Sequence, residues 1–382
     1  MSTGTSPYVF PFRPFRNLSE SVERARFHES ERRDYTELRT LAESFTQPLA
    51  LPAAGTLPQR LLSLFEGELL CLGKPEWIAL QAATWLPAFS RFIDQEQPIL
   101  FSLFGFPFKA PVPLKTKRRL PDFGELVMLC SLEKIVRAIG REYEPGARVH
   151  VFAEGALSRS IDFSGDQVGE YYSALENMSH SAGCSAAITL HDSSNFPHVV
   201  KGFDAAWERR IADIEKRQEN GDAATIAALN AAYPVIFHLI ATDGCDVDTL
   251  RQAYQGEPAA ATLRASLDQR ARKGSVVYRA FLEARDDLKV LEKFCPNALP
   301  LTVSPRPGRL GVSLLPRSVD VLPYHGVSVV DRRTGHMTVE YWWDIVTSDR
   351  VYTPVTLRSD PDTAPFLLEI ESNSAQTCKS PS

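Results

Sequence analysis

The sequence predicts an α/β fold, a mixed sheet flanked by helices, with a helical N-terminal extension and a C-terminal β-hairpin. Three observations lead there. Ile99 to Leu103 is an apolar run of strand length. From Phe123 onward, Phe123, Leu126, Val127, Cys130, Val136 and Ile139 recur at three- and four-residue spacings, the pattern of a helix with one face on a core. Ala147 to Ala153 then places valines on alternate positions, as a strand does. Strand, loop, helix, strand is the order of an α/β unit.

In chain order, residues 1 to about 20 read as an irregular arm carrying Tyr8, Phe10, Phe12 and Phe15. Charged residues from Glu20 to Glu43, mixed with Val22, Phe27, Tyr35, Leu38 and Leu41, read as one or two exposed helices. Leu51-Pro52-Ala53-Ala54-Gly55 breaks the pattern, so residues 1–55 form an expected N-terminal unit and 56–358 an α/β domain. Pro58 to Leu72 and Glu76 to Phe92 are expected helices, the second carrying Trp77, Trp85 and Phe89. Gln167 to His180 reads as helix and Ala186 to Leu190 as strand. Lys201 to Phe294 is mostly helical, with breaks at Asp243-Gly244 and Gly256-Glu257-Pro258. Leu310 to Leu315, Val321 to Val330 and Met337 to Trp343 read as closing strands. The last two flank an Asp331-Arg332-Arg333-Thr334-Gly335 turn and should form a hairpin. Residues 359–382 are expected to be a loose tail.

Composition narrows the function. The 382 residues, 44% hydrophobic, suffice for a full core. A net charge of −5 argues against a general nucleic-acid binder. No apolar run reaches the roughly 20 residues that span a bilayer, and the N-terminus lacks the apolar core of a signal peptide. Cys71, Cys130, Cys184, Cys245, Cys295 and Cys378 are widely spaced, with no Cys-x-x-Cys pair. Reduced thiols and a cytoplasmic setting are the expectation. A dinucleotide fingerprint, Walker loop, nucleophile elbow and zincin pair are all missing. No His-x-Asp pair suggests a non-haem iron site. A metal-independent reaction without a cofactor is therefore expected.

The stretch that concentrates chemistry is Gly105-Phe106-Pro107-Phe108-Lys109, followed by Lys115-Thr116-Lys117-Arg118-Arg119 and Leu120-Pro121-Asp122-Phe123-Gly124-Glu125. Asp122 and Glu125 have the spacing of a capping box and read equally as helix caps or as site carboxylates. Each cation taken singly reads as part of a solvated loop. Their concentration beside a helix N-terminus favours a small-anion site, because free amides and the helix dipole attract phosphate or carboxylate there. The loop follows one expected strand end and Glu154-Gly155 follows another, the position where α/β folds gather their sites.

These residues resemble the family of isonitrile synthases and pyoverdine/dityrosine biosynthesis proteins. The resemblance rests on Pro107-Phe108-Lys109, Lys115, Leu120-Pro121-Asp122 with Glu125, and Tyr143-Glu144-Pro145-Gly146. It continues with Val149-His150-Val151-Phe152 into Glu154-Gly155, then Asp166, Val168 and Tyr171, and far downstream Leu322-Pro323-Tyr324-His325. Order and spacing hold from roughly residue 60 to 350. The resemblance implies a Rossmann-like sheet and an enzyme of secondary metabolism. It would join an α-amino acid, typically tyrosine or tryptophan, to the ketone carbon of ribulose 5-phosphate and convert the amine to an isonitrile. It implies Asp122, Glu125, Glu154 and His325 as catalytic candidates. Lys109, Lys115, Arg118 and Arg119 would hold the phosphate, and Phe106, Phe108 and Tyr324 the remainder of the substrates. A separate tailoring oxygenase acting on the product is an implied partner.

The chain also departs from the family pattern. Glu154-Gly155 stands where the family carries Asp-Gly, and Ser160 where a further acidic residue is expected, with Asp162 close by. The family's Arg-x-Ser-x-His segment appears as Pro300-Leu301-Thr302-Val303-Ser304, without its arginine and histidine. Arg306 and Arg309 are the nearest cations that could substitute. The departures keep two other readings open: N-formylation or another one-carbon transfer to an amino acid amine, and a catalytically silent homologue that binds a ligand or partner.

Overall fold

A computed structural model describes residues 15–46, 49–66, 75–242, 244–303, 309–359 and 364–371; in 75–81 it describes the backbone alone. The chain opens with two short strands, β1 (Arg26–Phe27) and β2 (Glu31–Arg33), and helix α1 (Tyr35–Phe45). Helices α2 (Leu57–Glu66) and α3 (Pro75–Asp94) lead to strand β3 (Ile99–Gly105) and, after a long loop, helix α4 (Phe123–Gly140). Strand β4 (Ala147–Ala153), helix α5 (Gly165–Ser181) and strand β5 (Ile188–Asp192) follow. A helical crossover then runs through α6 (Phe196–Val199), α7 (Phe203–Glu219), α8 (Ala223–Phe237), α9 (Val247–Gln255), α10 (Ala261–Asp287) and α11 (Val290–Phe294). It delivers the chain to β6 (Leu299–Thr302) and β7 (Leu310–Gly311). The C-terminal part comprises β8 (Val327–Asp331), β9 (His336–Glu340), α12 (Trp342–Val346), β10 (Val351–Leu357) and β11 (Leu367–Ile370).

Five strands form a parallel sheet in the order β5-β4-β3-β6-β7. The chain enters at the centre, moves outward to β5, and crosses back to place β6 on the other side of β3. That reversal makes a switch point, and the crevice beyond the carboxyl ends of β3 and β6 is where such sheets bind ligands. The loop of residues 106–122 leaves β3 at that crevice.

Alternation along the strands divides the core in two. Phe101, Leu103, Val149 and Val151 belong to the main core, where Phe101 packs 5.5 Å from Phe65 and 6.4 Å from Phe89 between ring centroids. Phe104 and Phe152 lie on the opposite face against the crossover, with Phe281 6.0 Å from Phe104 and Phe294 5.6 Å from Phe152. Helix α10 approaches closely because Gly274 has no side chain. A Cβ built there would lie 1.9 Å from the Ser160 carbonyl oxygen, in the turn that follows Glu154. Gly274→Ala is therefore expected to cost about 1–3 kcal/mol through forced backbone displacement. A thermal melt checks it, and an unchanged Tm would contradict this packing.

The second sheet has six strands in the order β1-β10-β11-β8-β9, with β2 also on β10. β8 and β9 pair antiparallel around the 331–335 turn as the expected hairpin. There the Asp331 carboxylate accepts bonds from the amides of Arg333 (2.8 Å) and Thr334 (3.1 Å).

Two expectations are corrected here. The stretch Glu20 to Glu43, read as exposed helices, contains β1 and β2, which run parallel to β10. Only α1 is helical in it, and it buries Leu38 and Ala42. Residues beyond 359, read as a loose tail, include β11, which lies between β10 and β8. Strands of two to four residues carry no period of their own. They become strands because β10 offers both its edges, and because buried Glu369 on β11 binds Arg33 (2.7 Å) and Arg332. Residues 372–382 lie outside the described residues.

Candidate active site

The loop after β3 is clamped between the two sheets. Lys115 and Leu114 carbonyls accept bonds from the amides of Trp342 and Trp343, both 2.9 Å, and the Phe123 amide donates to the Phe366 carbonyl at 3.1 Å. Gly124 lets the start of α4 lie flush on the Pro323–His325 turn; a Cβ there would meet Pro323 Cβ at 2.5 Å. The loop, the α4 N-terminus and the turn before β8 therefore meet.

Asp122 and Glu125 do form a capping box. Asp122 Oδ1 accepts the Gly124 amide at 2.9 Å, and Glu125 Oε2 accepts the Asp122 amide at 2.9 Å. The same carboxylates also surround Lys109. Its ammonium lies 2.6 Å from Asp122 Oδ2 and 3.6 Å from Glu125 Oε2, and it donates to the carbonyls of Pro323 (2.7 Å) and Gly326 (3.2 Å). Ser328 Oγ donates to Asp122 Oδ1 at 3.1 Å, and Tyr171 Oη to Glu125 Oε1 at 3.0 Å. All three ionisable groups are 0–1% exposed.

Burial is the main influence on Glu125. It pushes the carboxyl up to about 7, against the pull of Lys109 and with the push of Asp122. Burial, and then Glu125 itself, holds the Tyr171 phenol well above its ordinary value. Tyr324, on the Pro323–His325 turn, is likewise raised by burial and then by Glu154, Tyr278 and Glu125. Glu154 is half-buried at the carboxyl end of β4. The His325 imidazole is held well below its ordinary value by burial, Lys115 and Lys109. A carboxyl that titrates near neutrality and is bonded to a phenol is equipped to move protons.

The remaining expected residues divide. Lys115 is 2% exposed, and its ammonium donates to the His238 carbonyl at 2.6 Å. Burial pulls its pKa well below the lysine range. Arg118 donates to the carbonyls of Pro121 and Ala364, both at 3.1 Å, and its guanidinium carbon sits 5.8 Å from the Phe366 ring centre. It therefore ties the loop to the lead-in of β11. Arg119 is exposed. Phe106 is buried with φ 56°, a left-handed conformation that a bulky residue adopts only under constraint, and its carbonyl accepts the Tyr172 hydroxyl at 3.2 Å. Phe108 stacks on Phe163 with centroids 5.1 Å apart. Both phenylalanines are core residues that shape the loop.

Pro300 pairs with Ser102 in the sheet and Arg309 begins the run into β7, while Ser304 and Arg306 lie outside the described residues. Sequence reasoning gave no role to Tyr171, Tyr278, Ser328, His238 or Gly124. Tyr171 was visible as part of the resemblance; the others carry no local signal. Among the described residues no group of three or more His, Cys, Asp or Glu could hold a metal ion. No helix there is long and apolar enough to cross a membrane.

Comparison with known proteins agrees with this architecture. The profile of the pyoverdine/dityrosine biosynthesis protein family matches residues 89–224, which run from the end of α3 through α7 and include the clamped loop. An L-tyrosine isonitrile synthase from Xenorhabdus nematophila is 25% identical over 64% of this chain and 71% of its own. One from Pseudomonas aeruginosa is 26% identical over 64% of this chain and 73% of its own. The L-tryptophan isonitrile synthase AmbI1 of Fischerella ambigua is 26% identical over 45% of this chain and 54% of its own. The crystal structure of the Pseudomonas aeruginosa PvcA protein shares the fold, with a TM-score of 0.65 and 21% identity over 82% of this chain and all of that one. The fold thus defines an α/β protein with a parallel sheet flanked by helices. Over residues 89–224 the chain is thus similar to the pyoverdine/dityrosine biosynthesis protein family, and over 64% of its length to L-tyrosine isonitrile synthases.

Proposed function

We propose that the protein is an isonitrile synthase, acting on an aromatic α-amino acid and a ketose phosphate such as ribulose 5-phosphate. The observation that carries this reading is the buried Lys109–Asp122–Glu125–Tyr171 cluster at the switch point, in a chain whose relatives include L-tyrosine and L-tryptophan isonitrile synthases. Imine formation needs a group that gives and takes protons near neutrality, and cleavage of the adjoining carbon–carbon bonds needs a base. Glu125 fits the first requirement, because burial raises it to about 7. Glu154, at the carboxyl end of β4 and with its charge bearing on Tyr324, fits the second. Lys109 holds Asp122 and Glu125 at the helix start, so its role is to fix the carboxylates. Lys115 and His325 face the anionic end of the ketose.

The test is mass spectrometry of the full chain incubated with tyrosine or tryptophan and ribulose 5-phosphate. The expected product is the amino acid isonitrile. A formamide would replace this reading with N-formylation. Absence of any product, with normal folding, would favour the silent homologue. A separate oxygenase that consumes the isonitrile is the partner this chemistry calls for.

A further inference from the structure

The crossover supplies residues to the site that lie beyond the segment matched by the family profile. The connection from the end of α8 into α9 lies along the loop of residues 106–122. The Thr242 amide donates to the Pro111 carbonyl at 3.0 Å, and Lys115 donates to the His238 carbonyl at 2.6 Å. These bonds seat the connection against the loop and bring the His238 ring 5.4 Å from the Tyr254 ring between centroids. Phe15 then joins Tyr254 (5.7 Å) to Tyr341 (4.5 Å), over whose ring the Lys115 ammonium sits at 5.9 Å. Burial, and then Lys115, His325 and Arg264, hold the His238 imidazole below its ordinary value. Lys115, His238 and Tyr254 thus follow one another along this seam, and the influence of His325 reaches the same His238 ring.

Two features need a physical reason. The Tyr254 hydroxyl is buried with no hydrogen-bond partner among the described residues. A buried hydroxyl left unmade is destabilising, and such groups are uncommon in native proteins. The groups are also of one kind: an ammonium, a phenol and two imidazoles can all donate hydrogen bonds. An oxyanion has only acceptors to offer, so it satisfies such a set, and its own charge makes the bonds it accepts stronger than neutral ones. His238, His325 and Tyr254 each keep a partly exposed edge, while Lys115 is 2% exposed, so the set leads inward from solvent.

We propose that Lys115, His325, His238 and Tyr254 form an oxyanion site whose occupant is the phosphate of the ketose co-substrate. This rests on the function proposed above and adds the crossover residues His238 and Tyr254 to it. The amino acid carboxylate has related chemistry, and the experiment separates the two.

Binding of inorganic phosphate, ribulose 5-phosphate and tyrosine to the full chain is read separately by thermal unfolding and by titration calorimetry. Wild type is compared with Tyr254→Phe and Lys115→Met. Tyr254→Phe removes one hydroxyl and keeps the ring. If that hydroxyl serves a ligand, the ligand-free Tm stays the same or rises, while ribulose 5-phosphate binds about tenfold more weakly, the loss of one charge-assisted bond. Lys115→Met lowers phosphate affinity further, and tyrosine binding is retained in both variants. The proposal is overturned if Tyr254→Phe binds ribulose 5-phosphate as wild type does. It is equally overturned if the variant loses tyrosine binding instead, or if wild type responds to neither phosphate compound. Because binding is read without turnover, a chain that binds phosphate here but forms no isonitrile leaves this site standing while the proposed reaction falls.

Discussion

Lys109→Met is expected to lower the unfolding free energy by about 3–5 kcal/mol, the cost of breaking a buried ion pair from one side. The Lys109 ammonium is fully buried and lies 2.6 Å from Asp122 while donating to two carbonyls of the Pro323–Gly326 turn. Methionine fills much of the same volume but leaves the Asp122 carboxylate and those carbonyls without the cation. Gly124 and Ser328 still donate to Asp122, which keeps the loss finite. Chemical denaturation of the variant measures it. A loss under about 0.5 kcal/mol, typical of a surface substitution, would mean that Lys109 does not hold the carboxylates. Adding Asp122→Asn should recover part of the loss, because residues in direct contact do not add independently.

Glu125→Gln is expected to lower kcat/KM by about a hundredfold to ten-thousandfold, the usual contribution of a positioned proton-transfer group. The amide oxygen can still accept a hydrogen bond from Tyr171 or from the Asp122 amide, so the fold should survive. Wild-type kcat/KM should inflect near pH 7, where Glu125 titrates, and the variant should lose that inflection. Stability supplies an independent readout. The folded-state pKa lies above the ordinary value of 4.5, so the folded chain holds this proton more tightly than the unfolded chain does. Its contribution is full below about pH 4.5 and is lost as pH rises through about 7. The glutamine variant should show a flatter stability profile in that window. An unchanged rate and profile would remove Glu125 from the mechanism.

Much of this was readable from residue order. Ala147–Ala153 and Ile99–Gly105 are strands because their alternate residues bury against helices, and α4 starts at Asp122 because a capping box is a local device. The loop stood out because it joins a strand end to that cap. Partners were not readable. Lys109 and Asp122 are 13 residues apart, but the carbonyls that complete the lysine's shell are more than 200 residues away. Backbone carbonyls have no sequence signal at all, which is why Lys115 could not be placed against His238. Charge density also misled. The basic run looked uniform, yet Arg118 braces β11, Arg119 is exposed, and Lys109 and Lys115 are buried. Likewise, the long polar helices of the crossover drew attention away from His238, Tyr254 and Tyr278.

The central claim is that this site turns the amine of an aromatic amino acid into an isonitrile whose carbon comes from the ketose. The direct measurement uses ribulose 5-phosphate labelled with carbon-13 at the ketone carbon, unlabelled tyrosine, and mass spectrometry with carbon-13 resonance detection of the product. The account predicts one labelled carbon, located in the isonitrile group, and product formed at least about a hundredfold more slowly when Glu125→Gln replaces the wild-type chain. An isonitrile without label, a labelled formamide, or unchanged tyrosine in the presence of folded protein would contradict it.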